Sequence, residues 1–594
     1  MTSIDEGTTG TSTMAAIARE NAERHKGVAA GRYQQGDGWA DTTYDELWQR
    51  VHDLAAGLVD LGIEAGDRVC VLANTRFEWT IANLAISSAG AVVVPIYPTN
   101  SPDECAWVLS DSGAKAVFCE DAGAVAKVQE VRGDVPELEH VILIDGDAGD
   151  LPTMASIAER GAGLDDGELL ARIDAVTNDD AYLIIYTSGT TGRPKGVVLT
   201  HGGFGVGREL VTEMGIINSG DVVYLFLPLA HVFAQVIQAD VLEVGGTLAY
   251  FGGDASKIVK ELGEVKPTFF PSVPRIFEKI YSMATGMVND DNRAEFERAI
   301  DAGVRVHQAR QDGEEPSADD EQVLAAADEL MFGFVRSLFG GEMRFALTGA
   351  APIAPEILRF FYAAGAPVFE GWGMTETTAL GTINLPDAFR FGSIGQAVPG
   401  TELRIADDGE IMIRGPVVFR EYWNNPEATK ETIEDDGWMH TGDLGSVDDD
   451  GYFTITGRKK DIIITAGGKN LTPANIEGEL RQSQWISQAV MYGDRRPYPV
   501  ALITLDAETI VPWAEKNGRP ADLESLAKDD EVRAMIQAEV DTVNARHAKV
   551  GQIKRFEILP IDFSQDTGEL TPTLKLKRNV VYENYADEIA ALYS

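Results

Sequence analysis

A chain of 594 residues, 44% hydrophobic and 24% charged, has the composition of a globular protein of several domains, large enough to bury extensive cores. Its formal net charge of −44 speaks against nucleic acid as a partner and against electrostatic docking on anionic membranes, so any anionic substrate has to be met by a local basic patch. The three cysteines, Cys70, Cys105 and Cys119, read as reduced cytoplasmic thiols, and no run of about 18 apolar residues is present to cross a bilayer.

The first dozen residues, MTSIDEGTTGTS, are polar and acidic, lack the pattern of a signal peptide and are expected to be a disordered lead. Apolar residues spaced by three and four predict helix across 14–62. Strands are then predicted at 67–73, 91–99, 114–120, 140–145 and 181–185, with a helix at 79–88. This alternation implies parallel pairing and helices on both faces of a sheet. VVLTHGGF (197–204) leads into another helix, a long apolar strand over 221–233 ends at His231, and the strand–turn pattern repeats at 247–253 and 267–277. Residues 281–340 predict two amphipathic helices joined by an exposed acidic loop at 312–320. Strand-then-glycine units follow at 343–353 and 367–377, and short strands with turn signals fill 402–455. At GRKKD (457–461) the composition turns basic and then glycine-rich, which marks a domain boundary. Beyond it, helices at 474–480 and 531–547 and strands at 488–493 and 499–506 predict a compact α+β unit.

One stretch carries the chemistry. YTSGTTGRPKG (186–196) brings three glycines together with the hydroxyls of Thr187, Ser188, Thr190 and Thr191 and the charge of Lys195. Glycines such as Gly189 let backbone N–H groups approach a ligand, and hydroxyls, N–H groups and an ammonium all favour anionic oxygens, which makes this a phosphate-gripping loop. It is not a Walker A loop, because the lysine stands three residues after Gly192 and no Ser or Thr follows it. The string resembles, residue for residue, the signature loop of the adenylate-forming (acyl-CoA synthetase) superfamily, and the resemblance runs over most of the chain with its motifs in the family's order.

That resemblance implies roles for further residues. The loop would hold the β- and γ-phosphates of ATP, with Thr187 beside a magnesium ion. Gly349 and Ala350 resemble the family turn that lines the adenine and acyl pockets. Glu370, Gly371, Trp372, Gly373, Met374 and Thr375 resemble the second nucleotide motif, with Trp372 near adenine, Thr375 on phosphate and Glu376 on Mg²⁺, a hard oxygen ligand of the kind that ion takes. Asp443 would accept from the ribose hydroxyls, Arg458 would reach the same ribose, and Lys460 falls at the family's hinge position. His231 matches a motif near the acyl and α-phosphate site; the tryptophan gate that follows it in some long-chain members is absent, with Phe233 and Gln235 in its place. LTPTLKLKRN (570–579) carries Lys575 as the catalytic lysine, with Lys577 as the competing candidate.

The implied fold is α/β. A large N-terminal domain (1–456) has parallel-type sheets sandwiched by helices (13–400) and a small β-rich subdomain (401–456), and a compact α+β C-terminal domain (457–594) moves on a hinge. The implied activity joins a long-chain fatty acid to AMP at the expense of ATP, with Mg²⁺, and then to CoA. The partners would be fatty acid and CoA, the protein cytoplasmic and a monomer or homodimer, with peripheral membrane contact left open. A fatty-acyl-AMP ligase that loads a carrier protein is the nearest enzyme alternative, although no fused carrier domain or Asp-Ser-Leu pantetheine site is present. An enzyme activating aryl or amino acids is a further rival. A non-catalytic nucleotide- or acyl-binding protein is the alternative of another class; it would not need Lys195, Glu376, Asp443, Arg458 and Lys575 together.

Overall fold

The computed structural model describes residues 12–36, 38–147, 149–187, 193–286, 288, 291–467, 469–565, 567–571 and 575–594. Two large sheets dominate. In the first, the strands Val92–Ile96, Arg68–Leu72, Ala116–Cys119 and His140–Leu143 run parallel, Ala181–Thr187 joins Val92–Ile96 in parallel, and Lys195–Thr200 and Glu421–Tyr422 complete an antiparallel edge. In the second, Ala29–Gln35, Thr247–Tyr250, Val222–Leu225, Phe269–Ser272, Phe345–Thr348 and Val368–Trp372 form the parallel centre of nine strands. The short central strands are almost wholly buried and rich in Val, Ile, Leu and Phe, as expected for parallel strands covered on both faces.

Two helices have little polar surface to offer the solvent and are correspondingly enclosed. Phe77–Ser88 buries eleven of its twelve residues, and Val232–Val244 is buried along most of its length. Where they meet, buried polar groups pair off. Asn83 Nδ2 donates to Gln235 Oε1 (2.9 Å), Thr80 Oγ1 to Gln238 Oε1 (2.6 Å), and Tyr182 Oη to Asn83 Oδ1 (3.0 Å). Satisfied pairs of this kind let amides sit in a core without a large desolvation cost.

The structure revises several sequence expectations. Within the region predicted as helix, Ala29–Gln35 and Gly38–Thr43 form an antiparallel hairpin on the edge of the second sheet, between helices Ile17–Arg24 and Tyr44–Asp60. The predicted strand over 221–233 is only Val222–Leu225; the chain then turns, and His231 becomes the N-cap of Val232–Val244. The 281–340 region does hold the two expected helices, Arg293–Gln311 and Ala318–Ala327, the second continued by a π-helical turn, Asp328–Phe332, into Gly333–Leu338.

Residues 402–458 form a four-stranded antiparallel sheet in which Asp443 stands directly opposite Arg458. Residues 463–594 hold two apolar clusters of their own, one on each side of a three-stranded sheet of Ile486–Tyr492, Val500–Leu505 and Phe556–Ile558. A buried pair ties its elements together: Arg578 Nη1 donates to Glu477 Oε1 (2.6 Å), which also accepts the Met491 N–H (2.6 Å). Among the described residues no helix is long and apolar enough to cross a membrane.

Candidate active site

Ligands of open parallel sheets sit beyond the carboxyl ends of the strands. Here both large sheets deliver their carboxyl ends to one cleft of about 2430 Å³, closed from the other side by residues 457–466, 570–571, 575–580 and 582. Every described candidate residue borders it: Thr187, Lys195, His231, Gly349, Ala350, Glu370, Gly371, Trp372, Gly373, Met374, Thr375, Glu376, Asp443, Arg458, Lys460 and Lys575. Ser188, Gly189, Thr190 and Thr191 lie outside the described residues.

The strands on either side of the expected phosphate-gripping loop pair antiparallel, with Thr187 opposite Lys195. Its exit is anchored: Trp107 Nε1 donates to the Pro194 carbonyl (2.8 Å), and the Arg193 guanidinium lies 4.6 Å from the Trp107 ring. Lys195 Nζ sits 4.6 Å over the ring of Tyr422, whose hydroxyl donates to Glu376 Oε1 (2.9 Å). One tyrosine therefore links the basic and acidic groups of the phosphate end. Tyr422 had no place among the expected site residues; the aromatic pair in EYWNNP was its only trace in the sequence.

Two loops are strained, one after Phe345–Thr348 and one after Val368–Trp372. Ala350 (φ 68°) in the first and Thr378 (φ 51°) and Ala379 (φ 61°) in the second adopt left-handed backbone, a conformation that is costly for a residue with a Cβ and most of all for β-branched threonine. Gly373 is required for a different reason: a Cβ there would lie 2.1 Å from the Ala379 carbonyl oxygen. Burial pushes the Glu370 carboxyl up to about 8, although the Ile353 N–H opposes the shift, so this group is protonated at neutral pH.

Beside the second of these loops, Asp443 is held from two directions. Its Oδ2 accepts from Trp372 Nε1 (2.9 Å) and its Oδ1 from Arg458 Nε (2.8 Å). The Asp443 backbone N–H donates to Thr441 Oγ1 (3.1 Å), which fixes the turn. Each carboxylate oxygen keeps a further lone pair for a ligand hydroxyl.

His231 and Lys575 meet at the centre. His231 Nδ1 accepts the Phe233 backbone N–H (3.2 Å), which leaves the proton on Nε2. Burial and the nearby Lys575 charge push this imidazole down to about 3, so it is a neutral donor. Lys575 is open to the cleft yet walled by protein. Desolvation and the Arg458 charge lower its ammonium to about 8, against the pull of Asp443 and Glu376. Lys577, which also borders the cleft, lies 3.8 Å from Glu104. Lys460 is exposed at the end of the last strand of the four-stranded sheet.

These loops, strained turns and converging charges define a nucleotide-dependent activating enzyme. The chain belongs to the AMP-binding enzyme family, whose model matches residues 18–423, and the AMP-binding enzyme C-terminal domain matches residues 460–594. It is 41% identical over 567 residues to the long-chain-fatty-acid–CoA ligase FadD15 of Mycobacterium bovis, covering 94% of this chain and 93% of that one. It is 32% identical to the human long-chain-fatty-acid–CoA ligase 6, covering 93% of this chain and 82% of that one. Among solved structures, the anthranilate CoA ligase AuaEII with anthranoyl-AMP matches with a TM-score of 0.75 at 20% identity, over 98% of this chain and 99% of that one. A Mycobacterium tuberculosis fatty acyl CoA synthetase matches with a TM-score of 0.62 at 24% identity, over 97% and 99%.

Proposed function

We propose that this protein is an ATP-dependent long-chain fatty-acid–CoA ligase. The observation that carries the reading is the continuity of one cleft, from the phosphate loop and the Trp372–Asp443–Arg458 cluster, past Lys575 and His231, into an apolar slot beside the helix Val232–Val244. A carboxylate is a poor electrophile until its charge is removed, and a mixed anhydride with AMP removes it.

In the first half-reaction the loop and Lys195 hold the β- and γ-phosphates, Trp372 and the Gly349–Ala350 turn border the adenine, and Asp443 with Arg458 fixes the ribose. A fatty-acid carboxylate oxygen attacks the α-phosphorus and pyrophosphate leaves. Lys575 places its ammonium where negative charge accumulates on that phosphorus, where a fixed cation is most effective. The Nε2–H of neutral His231 donates to an oxygen at the same junction. Thr187 and Glu376 suit Mg²⁺: both offer hard oxygens, and Glu376 is buried at the phosphate end with one oxygen oriented by Tyr422. When bound, the ion neutralises phosphate charge.

In the second half-reaction residues 457–594 turn about Lys460, so that Lys575 withdraws and the loop carrying Gly467, Lys469 and Asn470 faces the cleft. The CoA thiol, losing its proton, attacks the acyl carbon, and AMP leaves. One site then serves two chemistries by exchanging the groups that cap it.

The test is incubation with ATP, Mg²⁺ and fatty acids from short to long, with and without CoA, and mass analysis of the products. Acyl-CoA and AMP that peak at long chains are expected. Acyl-AMP accumulating in the presence of CoA, or no ATP consumption with any acid, would overturn the reading.

A further inference from the structure

Residues 226–231 carry the chain from the strand Val222–Leu225 to the helix Val232–Val244 and deliver His231 to the cleft. Pro228 in this turn has no N–H to donate, and its carbonyl accepts the His231 N–H (2.9 Å). Two further residues of the turn are held by side chains. Thr75 Oγ1 donates to the Leu227 carbonyl (2.7 Å) and accepts the Leu229 N–H (2.9 Å). Gln235 Nε2 donates to the Leu229 carbonyl. Both polar backbone groups of Leu229, just ahead of His231, are therefore fixed by side chains from outside the turn.

These holders lead back to the first sheet. Thr75 follows its strand Arg68–Leu72. Gln235 lies on the helix after the turn, but its Oε1 accepts from Asn83 Nδ2 (2.9 Å), and Asn83 Oδ1 accepts from Tyr182 Oη (3.0 Å). Tyr182 belongs to the strand Ala181–Thr187, which ends at the edge of the cleft. A line of hydrogen bonds thus sets His231, which follows a strand of the second sheet, in register with the strand that bears Thr187. Thr75, Asn83, Tyr182, Leu229 and Gln235 are all buried. Stability alone does not call for amides here, because replacing both partners of a buried hydrogen bond by apolar groups of the same shape can be nearly neutral. What the amides add is direction: a satisfied polar network holds its members in one arrangement.

We propose that Gln235 and Thr75 are positioning residues for acyl-adenylate formation: through the backbone of Leu229 they aim the His231 imidazole at the junction of carboxylate and α-phosphate. The inference rests on the acyl-activating reading above. Neither side chain borders the cleft, so each acts through His231 and not on a ligand. A misplacement of about 1 Å can slow a reaction about 10²-fold, so a loosened turn should lower kcat. The grip on ATP is made by other elements and should stay as it is.

The experiment measures fatty-acid-dependent exchange of pyrophosphate into ATP, which reports adenylation, together with thermal stability. It compares the wild type with Gln235→Leu, Gln238→Leu, Thr75→Val and Thr75→Ser. Gln238 is the internal comparison: it is as buried as Gln235 and bonds to Thr80 and Gln235, but among the described residues it has no hydrogen bond to the turn. Both glutamine variants are expected to melt earlier than the wild type. Gln235→Leu should lower kcat about tenfold or more with the KM for ATP within about twofold, whereas Gln238→Leu should keep kcat within about twofold. Thr75→Val should repeat the Gln235→Leu pattern, and Thr75→Ser, which keeps the hydroxyl, should restore the wild-type rate. Added to His231→Ala, Gln235→Leu should cost no more than about threefold further, because the group it aims is gone. Equal kcat losses in the two glutamine variants, unchanged kcat in Gln235→Leu, or an undiminished loss in the His231→Ala background would overturn the proposal. If the glutamine variants do not fold, the Thr75 pair decides: equal kcat in its Val and Ser variants would overturn it. A wild type that exchanges pyrophosphate with no acid would instead overturn the acyl-activating reading, and this proposal with it.

Discussion

The two ends of the cleft are built by opposite means. The nucleotide end is assembled from loops at strand ends, with strained backbone at Ala350, Thr378 and Ala379 and charged side chains held by specific partners. The acyl end is the space between two helices, lined by aliphatic groups from elements that also form the core. Fixed dipoles and charges select a polyanion by position, so little tolerance is left for substitution. An apolar slot selects by length and bulk, and it yields to substitution gradually.

The largest difference between the ends should appear at Lys575. Replacing it with alanine removes a placed cation and is expected to slow acyl-AMP formation by about 10²–10³-fold. Thioester formation from supplied acyl-AMP should stay within a few-fold, because in the proposed cycle Lys575 withdraws before that step. Half-reaction assays with purified acyl-AMP check this, and equal losses in both steps would sink the assignment. The same group gives a pH signature. With its ammonium lowered to about 8, Lys575 is charged below that pH and loses its charge above it. Adenylation kcat/KM should therefore fall as pH rises through about 8, and in Lys575→Arg the fall should disappear, because guanidinium stays charged.

Asp443→Ala should come next. It takes away the acceptor for a ribose and leaves the Trp372 indole N–H and the Arg458 Nε without their partner. Charged hydrogen bonds contribute about 1.5–3 kcal/mol, so the KM for ATP is expected to rise roughly 10–100-fold with the fatty-acid chain-length profile unchanged. Ile237→Phe makes the converse test at the acyl end. Filling the slot should cost long acids about tenfold in kcat/KM, spare short ones and leave the KM for ATP where it was. A shift of chain-length profile in the first variant, or of ATP affinity in the second, would erase the distinction between the two ends.

The same distinction governs what was legible in the sequence. The nucleotide end needs particular residue types at fixed spacing, so Lys195, Glu376, Asp443 and Arg458 could be named from motifs, and the structure brings them to one cleft. What the motifs did not convey is how the residues are held: Tyr422, Thr441 and Trp107 act through geometry that only folding supplies. Beyond His231 and the Gly349–Ala350 turn the acyl end had no motif, because Val236 and Ile237 look like any core residues of an apolar helix. The parallel sheets were readable from alternating strands and helices. The hairpin Ala29–Thr43 was not, since an edge pair carrying Arg32, Gln34 and Gln35 lacks the apolar signal of a buried strand. At 221–233 the continuous apolar run gave no period by which to separate the strand Val222–Leu225 from the turn and helix after it.

The smallest effect belongs to the contacts that hold residues 463–594 against the cleft. Arg275 pairs with Asp506 (2.9 Å) and Lys279 with Glu508 (2.5 Å), both across the boundary between the second large sheet's helices and the C-terminal unit. Glu278 lies between these cations and borders the cleft near Arg481; burial raises its pKa while Arg481 and Arg275 oppose the shift. Three of the four side chains are about half exposed or more, with Asp506 the more buried, so each pair is worth about 0.2–1 kcal/mol and is screened by salt. That is too little to fix one arrangement and enough to bias two. The double variant Arg275→Ala, Lys279→Ala should therefore lower the adenylation rate no more than about fivefold. It should leave thioester formation unchanged or slightly faster, because the pairs belong to the arrangement in which Lys575 faces the site. Raising the ionic strength should weaken the same bias in the wild type and have less effect in the variant. A variant that slows both half-reactions equally would mean that these pairs stabilise the fold without favouring either arrangement.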